Sequence, residues 1–225
     1  MDTLARKAFQ SLTGLFLAMA ALLFGVPWTF DYWQAWIFLA VYFSASILII
    51  LYLLTRDRQL LERRMRGGPL AEKEIAQKII MLFASIGFVA LLAVPALDRR
   101  FSWSQLPTGI VIAGDVLIAL GWFAIYRVFR ENSFTSATIE LAQDQRVISS
   151  GPYALVRHPM YTGALAMLVG IPIALGSWWG LVAFGVMMLA LIWRIFDEER
   201  FLVRNLTGYA AYKEKVRYRL IPYLW

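Results

Sequence analysis

Six long stretches of the sequence are almost entirely apolar, and short polar or charged segments separate them. Each is close to the roughly 20 apolar residues that a helix needs to cross the hydrocarbon core of a bilayer. Backbone polar groups in lipid must be satisfied within the spanning element, so the pattern predicts an all-α polytopic membrane protein with about six transmembrane helices. The predicted spans are 9–28, 33–54, 78–97, 107–129, 159–175 and 178–196.

Glycine and proline mark the connections between these stretches. A Gly-Gly-Pro sequence at 67–69 should divide the charged stretch 55–78 into two short polar helices, or a helix and a turn. Gly176 and Ser177 separate the last two spans and predict a tight helical hairpin. The whole chain is interpreted as a single membrane domain, with four spans in residues 1–130 and the hairpin and a polar tail in residues 131–225.

Composition and charge agree with a membrane protein. The chain is 60% hydrophobic, with a mean hydropathy of +0.61, and carries a net charge of +7. All of its Lys and Arg residues except Arg99 and Arg100 fall in alternate connections or beside the chain ends. The positive-inside rule then predicts that both termini are cytoplasmic. Basic residues in these positions would meet anionic membrane lipids, so the charge does not indicate a nucleic-acid partner.

Residue usage limits the possible chemistry. The absence of cysteine excludes disulfides, thiolate metal ligands and a cysteine nucleophile. A single histidine, His158, excludes a multi-histidine metal centre, and we expect no metal. Catalysis must therefore rest on Arg, Glu, Asp, Tyr or a bound cofactor.

The only histidine lies in the sequence SGPYALVRHPMYTG, at the predicted start of the fifth span. Pro159 suits the first position of a helix, where free backbone N–H groups and the helix dipole can hold a carboxylate or phosphate. Arg157 and His158 would add donors to that helix start. The alternative is structural: an interfacial arginine and a histidine that caps the helix.

Three adjacent carboxylates, Asp197, Glu198 and Glu199, follow the last predicted span within WRIFDEERFL. They lie near the negative end of a helix dipole, so they need cationic partners, and Arg194 is expected nearby but free to take an anion. The tight hairpin should bring them beside Arg157 and His158. The sequence contains no nucleophile elbow and no glycine-rich phosphate loop. The start of the fifth span and the three carboxylates together therefore predict a site for a ligand that carries its own reactive group. The alternative is a solvated charged face.

One further carboxylate, Asp115, lies inside the fourth span, about two turns from its start. Ionisable residues within a membrane are candidates for function. We therefore include Asp115 as a candidate substrate-binding residue, although it could instead face a wet cleft or a neighbouring helix.

Together these motifs resemble the integral-membrane isoprenylcysteine carboxyl methyltransferases and the related phospholipid methyltransferases. The resemblance lies in SGPYALVRHPMYTG, in the DEER sequence at 197–200, and in GYAAYKEKVRYRLIP at 208–222. It covers roughly the last ninety residues. It implies transfer of a methyl group from S-adenosylmethionine, in a pocket at the cytoplasmic face, to a lipophilic or lipidated acceptor that enters from the bilayer.

The resemblance also implies roles for particular residues. Arg194 would bind an acceptor carboxylate, and His158 would take part in catalysis if the acceptor has to lose a proton. Thr138 is a weaker candidate. The residues expected to surround the cofactor are Gln145, Arg146, Val147, Ile148, Tyr153, Arg157, His158, Pro159, Met160, Tyr161, Glu198 and Glu199.

Two other functions remain open from the sequence. The end of the chain, KVRYRLIPYLW, also resembles the membrane sterol reductases, which use NADPH. Those enzymes usually have an aspartate where this chain has Ala164, and the Ser-Gly-Pro-Tyr sequence favours the methyltransferases. A non-catalytic membrane scaffold would leave the carboxylates and the lone histidine unexplained.

Overall fold

The computed structural model describes residues 2–68, 70–72, 74–142 and 144–225. Within these ranges the chain is all-helical, which confirms the predicted fold class. Pro69 of the predicted chain break lies outside the described residues. The helices are α1 (Thr3–Gly25), α2 (Trp33–Arg56), α3 (Arg58–Met65), α4 (Ile75–Phe101), α5 (Thr108–Glu131), α6 (Pro159–Ala174), α7 (Gly180–Asn205) and α8 (Tyr209–Lys215), with a short 3-10 turn at Gly151–Ala154.

Among the described helices, α1, α2, α4, α5 and α7 are long and apolar enough to cross a membrane. Helix α6 is apolar but has only 16 residues. At 1.5 Å per residue it extends about 24 Å, short of the roughly 30 Å hydrocarbon core. The fifth predicted span is therefore shorter than a full transmembrane helix, and polar chain covers its first turn.

Contacts at the helix termini define two ends of the bundle. At one end, which we call the basic end, the segment between α3 and α4 and the segment 132–158 contact Arg194 of α7. At the opposite end, Tyr32 donates a hydrogen bond of 2.7 Å to the carbonyl of Leu175, and Arg100 donates one of 2.9 Å to the carbonyl of Val26. The connections thus alternate between the two ends, as the loop charges predicted.

Among the described helices, α5 and α6 have the most extensive contact, and glycines line both sides of their interface. A Cβ added to Gly121 would lie 2.6 Å from the carbonyl oxygen of Gly163 and 2.4 Å from Cγ of Met167. A Cβ on Gly170 would lie 2.7 Å from the carbonyl oxygen of Gly114. These distances allow only hydrogen at Cα, so the backbones touch as in other small-residue membrane interfaces.

The hairpin of α6 and α7 has the predicted short connection, but its two arms have other principal neighbours. Helix α6 packs chiefly on α5, and α7 packs chiefly on α4. The connection is fixed at the opposite end by Asp98, which accepts hydrogen bonds from the hydroxyls of Ser104 and Ser177. At the basic end the two arms are joined by polar side chains.

Helix α7 continues to Asn205, nine residues beyond the predicted end of the last span. The three carboxylates therefore lie inside a helix, and the prediction that they sit at its negative end is wrong. Leu202 packs against the α8 cluster of Leu206, Tyr209, Tyr212 and Val216, which explains the extension.

We expect Gly121→Ala to destabilise the protein, because the new methyl group overlaps the backbone of α6. Overpacking of this kind costs about 1–3 kcal/mol. Thermal unfolding in detergent measures the effect. Gly185→Ala is the matched control, since a Cβ there meets nothing within 4 Å, and it should be neutral or slightly stabilising. Equal stability of both variants would contradict the close α5–α6 contact.

Candidate active site

The start of α6 and the last turns of α7 meet at the basic end through Tyr161. Its hydroxyl donates a hydrogen bond of 2.6 Å to Oε2 of Glu198 and accepts one of 3.1 Å from Nε of Arg194. These two α7 residues are one helical turn apart and present the same face to α6. The prediction that the two sequence blocks are neighbours in space is confirmed.

Glu199 lies beside this group and is the most heavily paired carboxylate of the three. Its Oε1 accepts a hydrogen bond of 2.7 Å from Nε of Arg157 and lies 3.3 Å from Nε2 of His158. Its Oε2 accepts one of 3.2 Å from Nε of Arg219. We call Glu199 with Arg157, His158 and Arg219 the glutamate clasp.

The clasp uses side chains that were predicted to face a cofactor. The side chains of Arg157 and Glu199 are only 3% and 4% exposed, and each is directed at the other. His158 is the N-cap of α6, but its side chain does not cap the helix and turns to Glu199 instead. Cofactor contact by these three residues stays a prediction, whereas their role in holding the fold is directly visible.

The clasp also fastens the polar tail that follows α8. Arg157 donates hydrogen bonds of 2.8 Å from Nη1 to the carbonyls of Val216 and Arg217. The backbone N–H groups of Arg157 and His158 donate to the carbonyls of Tyr218 and Arg219. The tail therefore lies against the start of α6 and covers it on one side.

Arg194 is fully engaged, so the expectation that it is free to take an anion is wrong for this state of the protein. Besides Tyr161, it donates hydrogen bonds of 2.9 Å to Oε1 of Gln77 and 3.0 Å to the carbonyl of Ala137. Its Nη2 also lies 2.9 Å from the carboxylate of Glu72. Helices α4 and α6, the α3–α4 segment and the segment 132–158 all contact this one guanidinium.

The role of the basic loop at 55–78 was not predicted, and the structure supplies it. Arg63 and Arg64 of α3 donate hydrogen bonds to the carbonyls of Ser133 and Ser136, the latter at 2.7 Å. The guanidinium of Arg64 also lies over the ring of Phe129, 5.6 Å from its centroid. The loop thus braces the segment that leads into the predicted cofactor residues.

Tyr153 and Tyr212 link α8 to Asn132, the residue that follows α5. Tyr153 accepts a hydrogen bond of 2.9 Å from Asn132 at its hydroxyl, and its carbonyl accepts one of 2.8 Å from Tyr212. Burial raises the pKa of Tyr153 well above its ordinary value, so the phenol stays protonated.

Tyr209 is a residue that the sequence analysis did not single out, although it lies within the quoted motif at 208–222. Its hydroxyl is buried and has no hydrogen-bond partner among the described residues. Burial raises its pKa well above the usual range, and the nearby charges of Glu199 and Glu198 add to the effect. A buried phenolic O–H without an acceptor costs free energy unless a ligand supplies one.

The remaining predicted cofactor residues line the loop that leads to the 3-10 turn. Gln145 accepts a hydrogen bond of 2.9 Å from the amide of Ala142, and Val147 packs against the α8 cluster. Arg146 is exposed and Ile148 is half-buried. Pro159 and Met160 form the first turn of α6 with Tyr161.

The two remaining candidate residues, Thr138 and Asp115, lie in different parts of the structure. Thr138 lies near the site, since its amide donates to the hydroxyl of Ser136 beside Arg64. Asp115 is buried with neither carboxylate oxygen hydrogen-bonded among the described residues. It follows Gly114, whose Cα faces Ala174 at the far end of α6 from Tyr161. The structure therefore does not bring Asp115 together with the other candidates.

Comparison with known proteins identifies the region that contains this site. Residues 110–207 match the family model described as phospholipid methyltransferase. Two rice proteins, from Oryza sativa subsp. indica and subsp. japonica, are each 32% identical to this chain over 129 residues. Both are named as probable protein-S-isoprenylcysteine O-methyltransferase. The alignment covers 54% of this chain and 63% of each relative, so it spans less than two thirds of their length.

The family model extends from the start of α5 through α6 and α7, and so includes Tyr161, Arg194 and Glu198. It leaves out α3, Glu72 and the tail, which contribute contacts to the same site. The resemblance expected from the sequence is confirmed over residues 110–207, the part of the chain that the phospholipid methyltransferase model matches.

Proposed function

We propose that this protein is an integral-membrane methyltransferase that uses S-adenosylmethionine and methylates a lipophilic acceptor. The observation that carries the proposal is the meeting of Tyr161, Glu198 and Arg194 at the basic end of the bundle. The phenol of Tyr161 is hydrogen-bonded both to the carboxylate of Glu198 and to the guanidinium of Arg194, at the ends of apolar helices. This arrangement suits a soluble zwitterionic donor beside a lipid acceptor.

The chemistry of the surrounding groups fits the cofactor. Glu198 is half-buried, and among the described residues it is hydrogen-bonded through one carboxylate oxygen, to Tyr161, so the other can receive an amino group or ribose hydroxyls. Tyr209 has a buried hydroxyl that lacks an acceptor in the described chain. The first turn of α6 offers backbone N–H groups that favour a carboxylate.

When bound, S-adenosylmethionine supplies an electrophilic methyl group, and the positive charge of its sulfonium disperses as the methyl moves. The protein therefore mainly has to orient the two reactants and exclude water. Glu198 would hold the cationic end of the cofactor, and Tyr161 would fix the position of Glu198. Arg194 would orient an acidic acceptor, and His158 would be needed as a base only for an acceptor that must lose a proton.

The membrane orientation belongs to the same proposal. Because the basic end carries nearly all Lys and Arg residues, we place it, with both termini, on the cytoplasmic side. S-adenosylmethionine is a cytosolic metabolite, so the site would then open to its supply. Acceptors would be membrane lipids or lipidated molecules that reach α6 and α7 from the bilayer.

An acceptor assay tests this function. Purified protein in detergent is given S-adenosylmethionine labelled in its methyl group, with N-acetyl-S-farnesylcysteine or phosphatidylethanolamine as the acceptor. We expect label in the organic phase with at least one acceptor. The loss of label on mild alkaline treatment identifies a methyl ester, and alkali-stable label identifies N-methylation. Absence of transfer to either would contradict this choice of acceptors.

A further inference from the structure

A polar cavity lies at the end of the bundle opposite the basic end, where α2 begins and where α4 and α6 end. Its volume is about 260 Å³, which is below that of most sites for drug-sized ligands and suits a small headgroup. The length of α6, about 24 Å, separates it from Tyr161 and the candidate active site. Its wall includes Tyr32, Gln34, Asp98, Arg99, Ser104 and Leu175.

Hydrogen bonds between helix ends hold the wall of this cavity in place. Tyr32 donates a hydrogen bond of 2.7 Å to the carbonyl of Leu175, which ties the start of α2 to the end of α6. Asp98 accepts hydrogen bonds from the hydroxyls of Ser104 and Ser177 at one oxygen. Its other oxygen accepts one of 2.7 Å from the amide of Ser104. The cavity is therefore formed before any ligand binds, and Asp98 supports its wall.

Arg99 brings a positive charge to the cavity. Its guanidinium lies 5.8 Å from the centre of the Tyr32 ring, and its Nη2 donates a hydrogen bond of 2.6 Å to the carbonyl of Asp31. The carboxylate of Asp31 is 3.4 Å away on a side chain that is 91% exposed, so this ion pair contributes little. Nη1 and Nε of Arg99 make no hydrogen bond within the part of the chain that the structure describes. A phosphate can accept from such donors in a bidentate geometry.

Gln34 brings an unpartnered acceptor to the same wall. Its Oε1 is buried and has no hydrogen bond among the described residues. A buried carbonyl without a donor costs free energy unless a ligand supplies an O–H or N–H group. The ligand that fits this cavity therefore carries a phosphate for Arg99 and a hydrogen-bond donor beside the phosphate for Gln34.

The depth of the cavity in the membrane indicates where such a ligand comes from. Trp33, Trp103 and Trp178 each adjoin the cavity wall in sequence or directly follow it, and they are 40%, 53% and 46% exposed. Exposed tryptophans concentrate at the level of the lipid headgroups. The side chain of Arg99 is 39% exposed at this level, so a lipid headgroup can reach it.

We propose that this cavity binds the headgroup of a phospholipid from the leaflet opposite the basic end. The phosphate binds Arg99, and an O–H or N–H group of the headgroup donates to Oε1 of Gln34. Ethanolamine and glycerol headgroups carry this donor, whereas choline carries none, so the site distinguishes between them. The lipid is a bound ligand and not a methyl acceptor, because the length of α6 lies between it and Tyr161. By binding the folded bundle it stabilises the bundle.

Dioctanoyl phospholipids added to the delipidated protein in detergent, without S-adenosylmethionine, test the selectivity. We expect the phosphatidylethanolamine and the phosphatidylglycerol to bind about tenfold more tightly than the phosphatidylcholine, because the choline lipid leaves Gln34 without a donor. Equal affinities of all three would overturn the proposal. Inorganic phosphate is the fourth probe, and binding as tight as that of the lipids would show an anion site and overturn the assignment to a lipid.

Two neighbouring arginines provide a variant and its matched control. Arg99→Gln should weaken binding of the dioctanoyl-phosphatidylglycerol on the order of tenfold, since it removes the charged donor. Arg100→Gln removes the same charge from a side chain that donates to the carbonyl of Val26, and it should leave the affinity unchanged. Equal affinities in the two variants would overturn the role of Arg99.

Gln34→Leu tests the second contact, because leucine has a similar size and no hydrogen-bonding group. We expect this variant to bind the ethanolamine and choline lipids with equal affinity. A preference for ethanolamine that persists in folded Gln34→Leu would overturn the role of Gln34.

Hydrogen exchange in the unmodified protein locates the lipid, in case a variant does not fold. Residues 99–106 should exchange more slowly when dioctanoyl-phosphatidylglycerol is added, and dioctanoylglycerol, which lacks the phosphate, should have no effect. Protection confined to the basic end, or equal protection by both molecules, would overturn the proposal. These measurements involve no methyl transfer, so their outcome is separate from that of the proposed function.

Discussion

Glu199→Gln should produce the largest loss of stability of any substitution in this site. The change leaves the guanidinium of Arg157 buried without its carboxylate and removes the shared partner of His158 and Arg219. Removing one member of a buried ion pair costs about 3–5 kcal/mol. We expect a clear fall in the melting temperature in detergent, with faster proteolysis within the tail at 216–225.

The same substitution at an exposed pair provides the comparison. Glu62→Gln removes a solvent-exposed partner of Arg66, and such pairs contribute little to stability. Its melting temperature and tail proteolysis should match those of the wild type. If Glu199→Gln behaved in the same way, the glutamate clasp would not hold the tail against α6, and Arg157 would be available for another partner.

Glu198→Gln should have the largest effect on cofactor binding while leaving the fold intact. The amide can still accept the hydrogen bond from Tyr161, and the side chain is only half-buried. It loses the negative charge that would hold the amino group of the cofactor. Hydrogen bonds to charged groups contribute about 1.5–3 kcal/mol, so affinity for S-adenosylhomocysteine should fall on the order of ten- to a hundredfold.

Asp197→Asn is the control for this change, because it neutralises the adjacent carboxylate. Asp197 accepts a hydrogen bond from Gln77 of α4 instead of from Tyr161, so its loss should leave S-adenosylhomocysteine affinity nearly unchanged. Equal affinities in wild type and Glu198→Gln would remove Glu198 from the cofactor site. Equal losses in both variants would show a general effect of negative charge.

The helices could be predicted from the sequence because burial in lipid imposes a simple pattern. Apolar stretches of spanning length fix where the helices lie, and Pro159 fixes the start of α6 to the residue. The juxtaposition of the α6 start and the α7 carboxylates followed from chain connectivity alone. A short connection between two helices leaves their other ends on the same side of the membrane.

The partners of each charged side chain could not be predicted in this way. Glu198 and Glu199 are adjacent in sequence but about 100° apart around α7, and only packing decides which one faces the tail. The occupancy of Arg194 by Glu72 joins residues more than a hundred positions apart, through a loop that lacks any periodic signal. Tyr209 was inside a quoted motif, yet its buried, unpartnered hydroxyl depends on how α8 packs.

The most direct test of the central claim is a calorimetric titration of the detergent-purified protein with S-adenosylhomocysteine, alongside a parallel titration with NADPH. We predict saturable binding of S-adenosylhomocysteine that is weakened in Glu198→Gln, and no binding of NADPH. Binding of NADPH alone would contradict the methyltransferase proposal and favour the reductase that the chain end also resembles.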